Sequence, residues 1–244
     1  MAMTCDPVTG ACLIPSADGR TPHALEPADA TLHYMGDPMC SWCWGMSPVM
    51  AETARWCRAE GLGFRLVMGG LRAGGGDEWN TAFRTFLRRE WSHIAGKTGQ
   101  DFGMTLLDRP FFDYDTEPAC RAVVTARLLL EEQGKGPLEE LAFFAAVQKK
   151  FYVNGDDPKE ARFYGEICRN AGIDPARFTT LFSSREMAAM TAADFQLSRA
   201  LGCRAFPSLI LTTPGQDVRE IAVGHATPEV IQQRVREALG TVAA

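Results

Sequence analysis

Two cysteines separated by two residues, Cys40 and Cys43, stand in the stretch GDPMCSWCWGMSP at residues 36–48. A pair at this spacing can alternate between a dithiol and a disulfide, supply part of a zinc site, or form a permanent crosslink. The chain has 244 residues, enough to bury a sizeable core without a framework of structural disulfides. Redox chemistry or metal binding is therefore favoured over a crosslink.

A zinc site usually needs four ligands, commonly two cysteine pairs of this kind. The other close pair in the sequence is Cys5 and Cys12, whose six intervening residues are unusual for a zinc knuckle. No metal-ligand spacing is found among the four histidines, which are His23, His33, His93 and His225. For His225, a structural or surface role is favoured. A zinc-binding or adaptor module without enzymatic activity is thus the less favoured alternative, and we expect no bound metal.

The cysteine pair lies where a predicted strand ends and a predicted helix begins. The segment ATLHYMG alternates like a strand, and apolar residues at helical spacing follow the pair. The first turn of a helix presents unpaired N–H groups that stabilise a thiolate, which is the attacking species in disulfide exchange. We therefore expect Cys40, partly exposed at the helix start, to attack a substrate disulfide. Cys43, shielded one turn further on, is expected to resolve the mixed disulfide.

Residues beside the cysteines are candidates for tuning this chemistry. No lysine or arginine occurs between residues 36 and 50, so backbone N–H groups must provide most of the stabilisation of a thiolate. Asp37 is either an N-terminal cap or a proton acceptor for Cys43. Ser41 and Trp42 lie between the two cysteines and help to set the reduction potential. Trp42 is also a candidate for an apolar substrate-binding surface.

The remaining sequence predicts two separated parts of one α/β unit with a helical segment between them. Residues 1–29 are rich in Pro, Gly, Ala and Asp and are expected to form an irregular extension. Strand and helix patterns occupy residues 30–75 and 185–244, including a hairpin formed by FPSLILTT and REIAVGH. Helical periodicity dominates residues 76–184, which we interpret as an insertion.

These features together resemble the DsbA-like branch of the thioredoxin fold. The resemblance rests on the CxxC at a strand-to-helix junction, on Pro48 eight residues after the first cysteine, on FPSL before a hairpin, and on the helical insertion. The fold class is accordingly expected to be α/β, thioredoxin-like, with a helical insertion domain. The context D-P-x-C-x-W-C is similar to that of cytoplasmic FrnE-like and predicted protein-disulfide isomerase members.

The resemblance also implies a substrate-binding edge. In that family the proline matching Pro207 is cis and packs beside the disulfide. The backbone of the preceding residue, here Phe206, binds substrate as an added strand. A small or β-branched residue is common at that position, so Phe206 departs from the family pattern and bears on substrate selectivity.

Cys5 and Cys12 enclose the turn-prone residues Asp-Pro and Thr-Gly, which would allow the two sulfurs to meet. They either belong to a mobile tail with two thiols or form a second redox pair that exchanges electrons with the CxxC, as some FrnE-like relatives have a second pair. The other cysteines are expected to be small buried apolar residues; they are Cys57, Cys120, Cys168 and Cys203.

The expected function is that of a thiol–disulfide oxidoreductase of the protein-disulfide isomerase type. Its substrates would be disulfide-containing proteins or small thiols, with no bound cofactor and with glutathione as a candidate co-substrate. The alternative is a glutathione-dependent transferase or isomerase similar to the kappa-class transferases, which share this fold and insertion. Those enzymes typically carry a serine where this chain has Cys40, so the intact dithiol favours redox chemistry. Oxidase, isomerase and reductase directions remain open at this stage.

Charge and hydropathy exclude other classes of partner. The net charge is −5 and the isoelectric point is near 5.5, whereas phosphate binding calls for clustered basic residues. No apolar run has the length that is needed to cross a membrane. The first twenty residues lack the basic start and apolar stretch of a secretory signal, so a cytoplasmic location is expected.

Overall fold

Seven strands form two sheets in the computed structural model, which describes residues 5–13, 30–215 and 218–240. The strands are β1 (Cys5–Asp6), β2 (Ala11–Leu13), β3 (Thr31–Gly36), β4 (Gly63–Met68), β5 (Ala205–Phe206), β6 (Ser208–Thr212) and β7 (Arg219–Val223). The larger sheet has the order β4-β3-β6-β7, and the smaller sheet has the order β1-β2-β5. Strands β3 and β4 are parallel, whereas β6 runs antiparallel to both of its neighbours. The predicted strand before the cysteine pair and the predicted C-terminal hairpin are therefore confirmed.

Nine α-helices occur in the described part of the chain. They are α1 (Ser41–Gly45), α2 (Ser47–Ala59), α3 (Thr81–Thr98), α4 (Glu117–Glu131), α5 (Pro137–Tyr152), α6 (Gly165–Ala171), α7 (Pro175–Phe182), α8 (Arg185–Ala200) and α9 (Pro228–Ala238). Proline occupies the first turn of α2, α4, α5, α7 and α9, where its missing N–H would have no helical partner. Helices α3 to α7 all lie between β4 and α8 along the chain, where the sequence predicts a helical insertion.

The N-terminal extension differs from the prediction. Residues 1–29 were expected to lack regular structure, but Cys5–Asp6 and Ala11–Leu13 form an antiparallel hairpin. Both strands are too short for an alternating pattern to identify them, and β2 gains its second partner, β5, from the opposite end of the chain. The other residues of the predicted extension lie outside the described part.

A buried ionic cluster joins the inserted helices to the larger sheet. The Arg127 guanidinium on α4 donates to Glu140 on α5 at 2.7 Å and to both carboxylate oxygens of Asp194 on α8 at 2.8 and 3.0 Å. It also donates to the backbone carbonyl of Leu66 on β4 at 2.9 Å. The Asp194 carboxylate in turn accepts from the backbone N–H of Met68 at 2.9 Å. The second carboxylate of the cluster is faced by the Arg65 guanidinium, 3.9 Å from Asp194. These directional contacts favour one position of α4, α5 and α8 against β4.

None of the helices in the described ranges is long and apolar enough to cross a membrane.

His33 on β3 makes the stability of the fold depend on pH. Its side chain is buried and its Nε2 atom lies 2.9 Å from the Thr212 hydroxyl oxygen. Burial, followed by the charge of Arg65, lowers the pKa of His33 to about 4. The His33 imidazole is therefore protonated below about pH 6.5 in the unfolded chain but only near pH 4 in the folded chain. The free energy of unfolding accordingly decreases as the pH falls from 6.5 towards 4.

We predict that the decrease in the free energy of unfolding from pH 7.5 to pH 4.5 is about 2–3 kcal/mol smaller in His33→Gln than in the unchanged protein. Urea denaturation at the two pH values measures the difference in the free energy of unfolding. His93→Gln replaces an exposed histidine and serves as the control for the loss of an imidazole outside the core. An unaltered slope in His33→Gln would contradict the assignment.

Candidate active site

The cysteine pair occupies the junction that the sequence predicts. Strand β3 ends at Gly36, and Cys40 is the N-cap residue of α1 with an extended backbone. The backbone N–H of Cys40 donates to the carbonyl of Asp37 at 3.0 Å, which closes the connecting turn. Both Cys40 and Cys43 are in the thiol state. Ser41 is buried beside them in the first turn of α1.

The exposure of the pair departs from expectation at one position. Cys43 is fully buried as predicted, but Cys40 is also 0% exposed, so the prediction of a partly exposed Cys40 is wrong. Burial, followed by the hydrogen bond and charge of Cys40, raises the pKa of Cys43 well above its ordinary value. The Cys40 Sγ atom points to the backbone carbonyl oxygen of Phe206 at 3.8 Å.

Asp37 fixes the turn before the cysteines. One carboxylate oxygen accepts from the backbone N–H of Met39 at 2.8 Å. The other accepts from the Leu71 N–H at 2.7 Å, the Thr116 hydroxyl at 2.8 Å and, at 3.5 Å, the Cys120 thiol. Burial raises the pKa of Asp37, and these hydrogen bonds oppose that effect. The carboxylate thus caps its own turn, and no hydrogen bond in the described residues links it to the Cys43 sulfur.

Tyr34 is a site residue that sequence reasoning did not identify. It is fully buried on β3, its hydroxyl has no hydrogen-bond partner in the described structure, and it lies beside the Cys43 sulfur. Burial, followed by the charge of Cys43, raises the pKa of Tyr34 well above its ordinary value. The alternation of β3 predicts which face Tyr34 occupies, but only the packing of α1 over β3 brings it to Cys43.

The segment expected to bind substrate adjoins the pair. The peptide bond between Phe206 and Pro207 is cis, as the resemblance implies. The Phe206 ring is buried and packs so closely against the backbone of Gly69 that a Cβ atom there would overlap it. Only glycine at position 69 therefore leaves room for the Phe206 ring. The Phe206 backbone forms part of strand β5, beside Cys40.

The N-terminal hairpin covers this segment. A disulfide joins Cys5 on β1 to Cys12 on β2. Strand β2 pairs antiparallel with β5, so that Cys12 lies opposite Phe206 and Leu13 lies opposite Ala205. The hairpin thus occupies the edge of β5, the strand whose Phe206 carbonyl lies next to the Cys40 sulfur.

Trp42 lies under the tip of the hairpin. A Cβ atom on Gly10 would come within 2.8 Å of the indole, so only glycine allows this approach, and its φ of +72° is a conformation that favours glycine. The ring centroids of His93 and His225 lie 5.9 and 6.1 Å from that of Trp42, and the Lys97 ammonium lies 5.3 Å from it. His225 therefore belongs to this neighbourhood, whereas the sequence favoured a structural or surface role.

The remaining cysteines do not join the pair. The thiols of Cys57, Cys168 and Cys203 are buried, as predicted, and burial raises their pKa values to about 12, 12 and 11. Cys120 is also buried, and its pKa is raised, first by burial. Within the described ranges, no group of three or more His, Cys, Asp or Glu residues is placed to hold a metal ion.

Comparisons with known proteins give matches only among solved structures. No protein-family model matches the chain. No curated protein matches it either. A proposed protein disulfide isomerase from Nitrosomonas europaea is 32% identical over 87% of this chain and 98% of its own, with a TM-score of 0.76. The cytosolic disulfide reductase DsbM from Pseudomonas aeruginosa is 27% identical over 87% of this chain and 100% of its own, with a TM-score of 0.68.

More distant similarity supports the fold alone. A probable DsbA oxidoreductase from Streptomyces coelicolor is 15% identical over 88% of this chain and 92% of its own, with a TM-score of 0.64. Together with the closer matches, this similarity confirms the predicted α/β, DsbA-like thioredoxin fold.

Replacing Asp37 tests whether its carboxylate holds the turn. We predict that Asp37→Asn lowers the free energy of unfolding by about 2–4 kcal/mol, because an amide presents a donor to groups that are themselves donors. Asp115→Asn is a matched control: one Asp115 oxygen accepts from the Gly74 and Glu117 N–H groups, and an amide oxygen can replace it. Chemical denaturation should show a loss below about 1 kcal/mol for the control. Equal losses in the two variants would argue against the role of Asp37.

Proposed function

The chain belongs to the DsbA-like family of thiol–disulfide oxidoreductases, and from this premise we propose that Cys40 and Cys43 are its redox centre. The observation that carries the proposal is the position of the Cys40 sulfur, 3.8 Å from the carbonyl of Phe206. Phe206 lies on a strand edge that pairs with an extended chain segment. A disulfide presented on such a segment is brought to Cys40 by backbone hydrogen bonds, whatever its side chains.

The reaction consists of two thiol exchanges. The Cys40 thiolate attacks one sulfur of the substrate disulfide, and the other sulfur leaves as a thiolate and takes up a proton. Cys43 then loses its proton and attacks the Cys40 sulfur, which releases the second substrate thiol. The substrate gains two electrons and two protons, and the enzyme is left with a Cys40–Cys43 disulfide. The reverse sequence oxidises a substrate dithiol.

The surroundings of the two sulfurs support this division of roles. Cys40 is the N-cap residue of α1 and contacts the edge where substrate would bind. Cys43 lies inside, and the raised pKa of its thiol keeps it protonated until the mixed disulfide has formed. The Tyr34 hydroxyl beside Cys43 is a donor for the thiolate that must then develop. Asp37 acts on the pair through the backbone of its turn, and Ser41 and Trp42 fill the space between the cysteines.

Both proteins and small thiols are proposed as substrates. With the hairpin displaced, the Phe206 backbone, Pro207 and Trp42 would form the binding surface for a peptide; with it docked, the Trp42 and Phe206 side chains are 0% exposed. The P. aeruginosa relative, a disulfide reductase, was also solved with glutathione, at 27% identity over 86% of this chain and 99% of its own, with a TM-score of 0.65. Lys97 and His93 beside Trp42 supply groups that suit the carboxylates of glutathione. We therefore propose glutathione as a co-substrate, with no bound cofactor, and a cytoplasmic site of action.

Single substitutions at the cysteines test the redox centre. We expect Cys40→Ser to lower insulin disulfide reduction at least 100-fold, because the attacking sulfur is lost. Treated with an excess of oxidised glutathione, Cys43→Ser should instead accumulate a mixed disulfide between Cys40 and glutathione, visible as a mass increase of intact protein. Cys57→Ser alters a buried thiol on α2 and should retain the unchanged rate. Full activity in Cys40→Ser would remove the basis of the proposal.

Tyr34→Phe tests the donor to Cys43. A hydrogen bond to a charged group contributes about 1.5–3 kcal/mol, so its loss should slow resolution of a Cys40–glutathione mixed disulfide about tenfold or more. Formation of the mixed disulfide should keep its rate, because Cys40 carries out that step. Stopped-flow measurement of glutathione release separates the two steps.

Tyr164→Phe is the matched control for Tyr34→Phe. It removes another hydroxyl from a fully buried tyrosine, which bonds to the Pro158 carbonyl in the helical segment. Resolution at the unchanged rate in Tyr34→Phe, or an equal slowing in the control, would assign Tyr34 to packing alone.

A further inference from the structure

We propose that the Cys5–Cys12 disulfide is an intramolecular substrate of Cys40, presented by the N-terminal hairpin on the edge where external disulfides bind. The inference rests on the proposed function, and it adds a second redox pair to the same site. Cys12 is the sulfur under attack, and Cys5 provides the leaving group.

Strand pairing gives the register. Cys12 lies directly opposite Phe206 in an antiparallel pair, and the Phe206 carbonyl is the group that the Cys40 sulfur contacts. Cys5 lies opposite Cys12 on β1, which is one strand further from β5. Of the two hairpin sulfurs, that of Cys12 is therefore carried on the strand adjacent to the redox centre.

Contacts at the turn of the hairpin hold it on this face. The Thr9 carbonyl accepts from the backbone N–H of His225 at 2.8 Å. The carbonyls of Pro7 and Val8 contact the His93 ring nitrogen at 3.2 Å and the Lys97 ammonium at 3.4 Å. Gly10 closes the arrangement against Trp42. A segment held at so many points is positioned for reaction with the residues below it.

Burial favours internal over external attack on this disulfide. Cys12 and Cys40 are both 0% exposed, and Cys5 is 7% exposed. All three belong to one continuous group of buried residues. A thiol from solvent must open the hairpin to reach either sulfur of the disulfide, whereas Cys40 lies on the buried side, with its sulfur 3.8 Å from the carbonyl of the residue that pairs with Cys12.

The exchange balances within one chain. The Cys40 thiolate attacks the Cys12 sulfur, a Cys40–Cys12 bond forms, and Cys5 leaves as a thiolate that takes up a proton. Cys43 then loses its proton and attacks the Cys40 sulfur, so that Cys12 is released as a thiol. The Cys40–Cys43 pair is oxidised by two electrons, and the Cys5–Cys12 pair is reduced by the same two. Glutathione returns the centre to the dithiol state.

The rate at which glutathione reduces the Cys5–Cys12 disulfide tests the inference. Fully oxidised protein is mixed with glutathione, quenched with acid, alkylated, and analysed by mass spectrometry after cleavage before Asp6, which separates Cys5 from Cys12. We expect Cys40→Ser to slow reduction of the hairpin disulfide at least tenfold. Cys43→Ser should accumulate a Cys12–Cys40 disulfide with Cys5 free, and Cys57→Ser should behave like the unchanged protein.

The same samples separate failure of the inference from failure of the proposed function. If Cys40→Ser abolishes insulin reduction but leaves the hairpin reduced at the unchanged rate, the inference is overturned and the redox centre stands. A Cys5–Cys40 linkage in Cys43→Ser, in place of Cys12–Cys40, also overturns it. If Cys40→Ser retains insulin reduction, the proposed function fails and the inference fails with it.

A variant that keeps every cysteine provides a second test. Gly10→Ala places a Cβ atom against the Trp42 ring and should lift the hairpin from the site. In Gly10→Ala we expect glutathione to reduce the hairpin disulfide by direct attack at least fivefold faster than in the unchanged protein. Adding Cys40→Ser to this variant should then no longer slow the reduction. Reaction of Cys40 with an external disulfide should become faster in the same variant.

Gly61→Ala is the control, because Gly61 has a similar φ of +69° and open space around its Cα. It should leave both rates unchanged. Suppose that Cys40 in Gly10→Ala reacts faster with an external disulfide while reduction of the Cys5–Cys12 disulfide still depends fully on Cys40. That result would overturn the claim that docking presents Cys12 to Cys40.

Discussion

The backbone of Ala205 and Phe206 is the constraint on which the rest of the site depends. A buried peptide group must find hydrogen-bond partners, and neighbouring side chains meet only part of this need. The Ala205 carbonyl accepts from the Ser208 hydroxyl at 2.7 Å and from the Cys203 thiol at 3.2 Å, and the other backbone groups need another strand as their source of partners. Strand β2 supplies them on one side, while the Phe206 carbonyl faces the Cys40 sulfur. The position of the hairpin and the nature of the substrate edge are consequences of this one requirement.

Desolvation governs the second half of the mechanism. The two sulfurs are enclosed by apolar side chains, and no basic side chain occurs between residues 36 and 50. In such surroundings a thiolate on Cys43 is costly, and burial accordingly raises the pKa of that thiol. The proposed resolving step would therefore depend on neutral donors beside the Cys43 sulfur, which are the Asp37 backbone N–H and the Tyr34 hydroxyl. The Asp37 carboxylate is near, but its hydrogen bonds are committed to the turn, Leu71, Thr116 and Cys120.

Much of this arrangement follows from local sequence, and the remainder follows from contacts that local sequence does not contain. Alternation along β3 and the helical spacing after Cys43 are properties of short windows, so the position of the CxxC was predictable. The hairpin was not, because its strands have two and three residues and β2 is paired with residues almost two hundred positions away. The role of Thr116 is a further contact of this kind. It is the N-cap residue of α4, yet its hydroxyl donates to Asp37 and accepts from the Arg72 N–H, and it accepts no bond from its own helix.

In the exchange that we propose, the disulfide in the hairpin would also set the order in which partners reach Cys40. A crosslink between residues separated by seven positions restricts the detached hairpin, which by chain entropy stabilises the docked form by about 2 kcal/mol. Reduction by Cys40 removes that restriction, and opening of the hairpin then requires less free energy than before. Under this proposal the edge along Phe206 would be released after the internal exchange, at the moment when a new Cys40–Cys43 disulfide needs an external thiol. The covering of the site and its chemistry are thereby coupled through the same sulfur atoms.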